Sequence, residues 1–184
     1  SDEFLPQGEL VSTAYIGQTY ILPQYRGQKV LNMTVIRMGL KCKLAHPFKR
    51  SVVWFDAISY KPFLALAKCA RESYPIPGRQ TPSLMKAIID TLGNRYYTAQ
   101  YNSANGTVRK NSRRLTDSDT HIQERDLQHE LIRFYAEQNP GHSRGDGLIC
   151  LYPITLENQL HAIRTVLLQR TAKLWQSLRH TCLA

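Results

Sequence analysis

The sequence predicts an α/β domain built on a mixed sheet, and three observations carry that prediction. Residues 9–22 form a β-prone run rich in Val, Thr, Tyr and Ile. Residues 30–45 repeat apolar side chains at helical spacing. SVVWFDAI, residues 51–58, is a compact apolar run bounded by basic and turn residues, which reads as a buried strand. A helix between two such runs predicts parallel neighbours, because parallel strands need a long crossover.

The elements follow in order. Gly17 inside the first run marks a bulge or a close backbone approach. The run ends at Leu22, the chain turns at Pro23, and Arg26-Gly27 lead into a helix whose stripe is Leu31, Val35, Met38 and Cys42. Arg37 and Lys41 project from another side, and Pro47 ends the helix. A second helix starts at Pro62 and runs to about Arg71. Residues 74–82 carry three prolines and a glycine, so they read as a loop. Ser83 caps a helix expected to stop at Gly93, NRYYTAQY reads as a strand, and Asn105-Gly106 signals a hairpin turn. Residues 115–126 read as surface loop, and Leu127, Leu131 and Phe134 mark a helix ending near Asn139. LICLYPI, residues 148–154, is another buried strand. Thr155 then caps the longest helix, where Leu156, Leu160, Ile163, Leu167, Leu174 and Leu178 share one face. That face is expected in the core, with a homodimer contact as the alternative.

At 184 residues and 42% hydrophobic composition, the chain fits one domain with a real core. No apolar run reaches the roughly 18–20 residues of a membrane span, and the acidic start at Asp2-Glu3 is no secretory n-region. The expected location is cytoplasmic. The four cysteines are widely spaced, which points to reduced thiols rather than a disulfide framework or zinc. The net charge is +10, and no acidic residue falls between Glu9 and Asp56. A second basic cluster is Arg109, Lys110, Arg113 and Arg114. Such a field attracts a phosphorylated cofactor, nucleic acid or an acidic protein surface, and it also serves solubility.

The segment Leu22-Pro23-Gln24-Tyr25-Arg26-Gly27-Gln28-Lys29-Val30-Leu31, with the strand before it and the helix, strand and helix after it, resembles the central part of the GNAT acyltransferase family. The resemblance covers residues 10–72, about a third of the chain. It implies a GNAT-like core segment over 1–75 and further strands and helices over 76–184, packed on the same domain as a C-terminal α/β extension. It also implies that Leu22, Tyr25, Arg26, Gly27, Gln28, Lys29 and Val30 surround the pyrophosphate of acetyl-CoA, through backbone amides at a helix N-terminus. The family places small residues where this chain has Lys29 and Leu31. Two readings stand: binding in an altered geometry, or loss of cofactor binding. The resemblance further implies a tyrosine acid near the start of the second helix, where Tyr60 is the candidate and Phe63 competes for the position. Glu9 is the acidic residue before the turn. The family's earlier strands would precede residue 9, so either the chain is truncated or its second half supplies those layers. The implied function is acyl-CoA-dependent acyl transfer to a small-molecule or protein amine, with no metal. The alternative is an inactive scaffold of the same fold that binds nucleic acid or an acidic protein.

Other constellations carry weaker expectations. His142 and Asp146 in the glycine-rich loop 139–147 could form an acid–base pair, or a plain surface turn. Ser143 beside His142 says nothing about triad geometry. His121 and His129 lack metal-ligand spacing. Tyr96, Tyr97 and Tyr101 near Arg95, Arg109 and Lys110 suit either base stacking or a hairpin core.

Overall fold

The computed structural model describes residues 2–17, 22–25, 30–110 and 121–182. Six strands form one mixed sheet: β1 (Asp2–Phe4), β2 (Val11–Tyr15), β3 (Arg50–Ala57), β4 (Tyr101–Asn102), β5 (Thr107–Val108) and β6 (Gly147–Pro153). Their order is β1-β2-β3-β6-β5-β4. β2 and β3 are parallel, with Val11 opposite Arg50 and Tyr15 opposite Trp54, and every other pairing is antiparallel. The crossover between them is α1 (Val30–Ala45), as the apolar pattern predicts. Four more α-helices follow among the described residues: α2 (Tyr60–Cys69), α3 (Ser83–Tyr97), α4 (Glu130–Gln138) and α5 (Leu156–Cys182).

The alternation of side chains along β3 and β6 builds two cores. Val52, Trp54, Ile149 and Leu151 face α3, where Ile88, Ile89 and Leu92 close over them. Val53, Ala57, Leu148, Cys150 and Tyr152 face the opposite way, toward the other helices. β6 is buried at every position, which accounts for its unbroken apolar run. Tyr74 extends the same sheet edge: its N–H donates to Leu151 O at 3.0 Å, and Leu151 N–H donates back at 2.7 Å. The proline-rich loop therefore covers the edge of β6 where the two-residue β5 stops, leaving less unpaired strand.

Three sequence expectations are corrected. Gly93 does not stop α3; the helix runs through it to Tyr97, so the strand expected from Asn94 shrinks to Tyr101–Asn102. A Cβ at Gly93 would lie 2.3 Å from the Tyr101 ring, so glycine serves a close packing contact rather than a terminus. In α1, Met38 is 62% exposed, while Ile36 and Gly39 are buried. The helix has turned its inward face about one residue from the expected stripe, to meet α5 through Ile36, Ala162 and Val166. On the expected face of α5, Leu156, Leu160 and Leu167 are all more than half exposed, and Ile163 alone of its described residues packs against the core. Asn158, Gln159, Ala162 and Val166 are buried in their place. The side chains of Leu174, Leu178 and Leu31 lie outside the described set. A smaller correction concerns the loop at 115–126, whose described end enters a 3-10 helix, Glu124–Gln128, with a reciprocal cap between Gln123 and Asp126.

Thr155 does cap α5, as its Oγ1 accepts from Asn158 N–H at 3.1 Å. Cys42, Cys69 and Cys150 are free thiols. Among the described residues no helix is long and apolar enough to cross a membrane.

Candidate functional site

Among the described residues the parallel pairing ends at Tyr15 and Trp54. Ile16 N–H donates to Trp54 O at 2.9 Å just after β2 ends, whereas β3 continues through Phe55, Asp56 and Ala57, which among the described residues pair only with β6. Among the described residues a gap therefore opens at the carboxyl ends of the two strands, the usual place for ligands in α/β sheets. Gly17 lies on its rim, where a Cβ would meet the Tyr15 ring at 2.3 Å. The close approach expected at this glycine is with its own neighbour's side chain.

A cavity of about 390 Å³ occupies the gap and the space beneath α1, α2 and α5. Its walls are mainly apolar, with Val35, Val53, Phe55 and Leu66 among them, and its polar side chains include Asn32, Asp56 and Cys69. Asn32 stands in the first turn of α1 and donates through Nδ2 to Cys69 Sγ at 2.8 Å. Phe55 and Asp56 are consecutive on a strand, so they point to opposite faces of the sheet. Both residues line the cavity, and the Asp56 side chain belongs to the face of the sheet opposite Phe55.

On that face Asp56 is the centre of a polar cluster. Tyr15 Oη donates to Asp56 Oδ1 at 2.5 Å. Lys110 Nζ pairs with Asp56 Oδ2, and the side chains are only 14% and 6% exposed. The same ammonium lies 4.7 Å from the centre of the Tyr97 ring. Tyr97 hydrogen-bonds to Tyr15 and Asp56, and burial together with the nearby carboxylate pushes its hydroxyl far above the usual tyrosine range. Tyr15 packs on Trp54 with ring centres 4.5 Å apart, and Trp54 on Tyr96 at 5.4 Å. A carboxylate, an ammonium and two phenols thus meet against an aromatic wall at one end of an apolar cavity. The carboxylate can hold an ammonium, Tyr15 donates to it, and the Tyr97 phenol stays protonated.

The residues singled out in sequence are distributed differently. Leu22, Tyr25 and Val30 are each more than 40% exposed and stand outside the cavity lining. Tyr25 closes a short turn by donating N–H to Leu22 O at 2.9 Å. Arg26, Gly27, Gln28 and Lys29 lie outside the described residues, as do Arg113 and Arg114. Tyr60 opens α2, partly buried against the cluster that holds Phe63 and Tyr135. Glu9 is on the surface, paired with Arg50. Lys110 is turned into the Asp56 cluster rather than presented with Arg109 on the surface.

His142 and Asp146 are not brought together. Asp146 accepts from Lys110 N–H at 3.3 Å and from Arg144 at 3.4 Å, while His142 packs near the Tyr135 ring at 6.2 Å. Burial, then the charge of His121, lowers the His142 pKa from 6.5. The unfolded chain therefore binds the proton more tightly, so stability falls as pH drops through the unfolded value. Urea unfolding at about pH 7.5 and about pH 5.5 checks this. His142→Gln is expected to flatten the difference, and an unchanged slope would remove His142 as its source.

No group of three or more metal-ligating side chains converges among the described residues. Compared with protein-family models, with characterised proteins and with solved structures, the chain matches none.

Proposed function

We propose that the chain is an acyl-CoA-dependent N-acyltransferase of GNAT-like build, transferring an acyl group to an amine at the open end of β2 and β3. The observation that supports it best is the apolar cavity at the carboxyl end of β3, whose lining includes Asp56, the residue at the centre of the polar cluster. Transfer between two substrates needs such a meeting point, with the reacting atoms held together. The apolar walls at Val35, Val53 and Leu66 suit a flexible, weakly polar arm, and Asn32 offers a hydrogen-bonding amide in the first turn of α1. Acyl-CoA supplies a thioester, whose carbonyl an amine can attack. Asp56 orients the ammonium of the acceptor and takes its proton, and Tyr15 fixes one oxygen of that carboxylate. Trp54, Tyr15 and Tyr96 form the aromatic side of the acceptor region.

Calorimetric titration of acetyl-CoA tests the reading. The unmodified protein is expected to bind saturably. The Arg26→Ala, Lys29→Ala variant should lose affinity on the order of tenfold, since each charge-assisted phosphate contact is worth more than a neutral hydrogen bond. Ala65→Phe, which places a ring at the cavity wall, should weaken binding. An unmodified protein that gives no heat and no saturation withdraws the reading.

A further inference from the structure

Among the described residues no lysine lines the cavity, yet one amine contacts a residue of its wall. Lys110 Nζ touches Asp56, and Asp56 forms part of the cavity wall. Its backbone is fixed on both sides. Arg109 N–H donates to Gln100 O at 2.9 Å, and Lys110 N–H donates to Asp146 Oδ1 at 3.3 Å. The side chain then runs inward over the Tyr97 ring, to a carboxylate that Tyr15 holds from its other oxygen. A primary ammonium with a carboxylate and an aromatic face is the arrangement that an alkylamine acceptor would require. Here the chain supplies that amine itself.

We propose that Lys110 is a tethered acyl acceptor, an amine of the chain that occupies the acceptor region and is acylated there. The inference rests on the acyl-transfer reading. In the step, the Lys110 ammonium gives one proton to the Asp56 carboxylate, and the free amine attacks the thioester carbonyl. The C–N bond forms as the C–S bond breaks, and the second proton leaves the nitrogen for the departing thiolate. The product is a neutral amide at Nζ. Asp56 ends the step protonated, and once it releases that proton to solvent it is a carboxylate that has lost its cation.

The full-length chain is incubated with acetyl-CoA and followed by intact and peptide mass spectrometry, alongside calorimetric binding of acetyl-CoA to the same sample. The expected result is one added acetyl group at Lys110, at least about tenfold faster than at the exposed Lys41 and Lys61, because only Lys110 is held in place. Unfolding the chain in urea should bring the three rates together. Lys110→Arg, which keeps the charge opposite Asp56, is expected to bind acetyl-CoA unchanged and to gain no acetyl group at that rate. Binding without modification of Lys110, or equal rates at all three lysines in the folded chain, overturns this inference and leaves the transfer reading standing. Absence of acetyl-CoA binding overturns both.

Discussion

Replacing Asn158 with leucine is expected to lower the unfolding free energy by about 4 kcal/mol, within the upper range for single substitutions. The side chain is 1% exposed and makes four hydrogen bonds to main chain. Its Oδ1 accepts from Arg71 N–H at 3.0 Å and Glu72 N–H at 3.1 Å. Its Nδ2 donates to Glu72 O at 2.8 Å and Pro153 O at 2.9 Å. Leucine matches the amide in size but leaves all four groups without this partner. Each stranded buried group costs about 1–3 kcal/mol, less where water reaches the segment after Cys69. Asn158→Asp should also be destabilising at neutral pH, because a carboxylate would face the Glu72 and Pro153 carbonyl oxygens. Urea denaturation measures both, as a lower midpoint at unchanged slope. A loss below about 1 kcal/mol for the leucine variant would show that this amide does not tie α5 to the sheet.

The second large effect is expected at Lys110. Lys110→Met leaves Asp56 buried without its cation, and breaking a buried pair from one side costs about 3–5 kcal/mol. The Asp56→Asn change in the same chain should recover most of that loss, since Tyr15 can still donate to the amide oxygen and no lone charge remains. The double-mutant cycle reads the coupling directly. Single effects that simply add would mean the two side chains act independently, contrary to their contact.

How much of this was legible in the sequence depends on how local each feature is. The strand–helix–strand of residues 11–57 is a local pattern, and apolar periodicity with a turn at each end was sufficient to place it. The burial of α5 was not legible from its leucines. Periodicity ranks Asn158 and Gln159 as surface residues, yet Asn158 is buried because the main chain of Arg71 and Glu72, far away in sequence, satisfies its amide. Gly93 read as a stop because the Tyr101 ring that requires it arrives eight positions later.

The polar cluster was missed for the same reason. Tyr15, Asp56, Tyr97 and Lys110 come from β2, β3, α3 and the segment after β5, so no spacing rule links them. One signal was present: Asp56 is a lone acid in the apolar run SVVWFDAI. Its place beside the gap follows only from the register of β3, which outlasts β2.

The position of β6 has a consequence for how the chain is made. It is the last of the described strands in sequence, yet it lies between β3 and β5. During synthesis the inner edge of β3 must wait for about ninety residues, from Ala57 to Gly147, before its partner exists. At about 5–20 residues per second, that interval is roughly 5–20 s. Throughout it, Val52, Val53 and Trp54 form a sticky strand with an unpaired side, open to pairing with other nascent chains. Production of the protein is therefore expected to depend on slow initiation or on a chaperone at the ribosome, and a chain interrupted before residue 147 to be the form that aggregates.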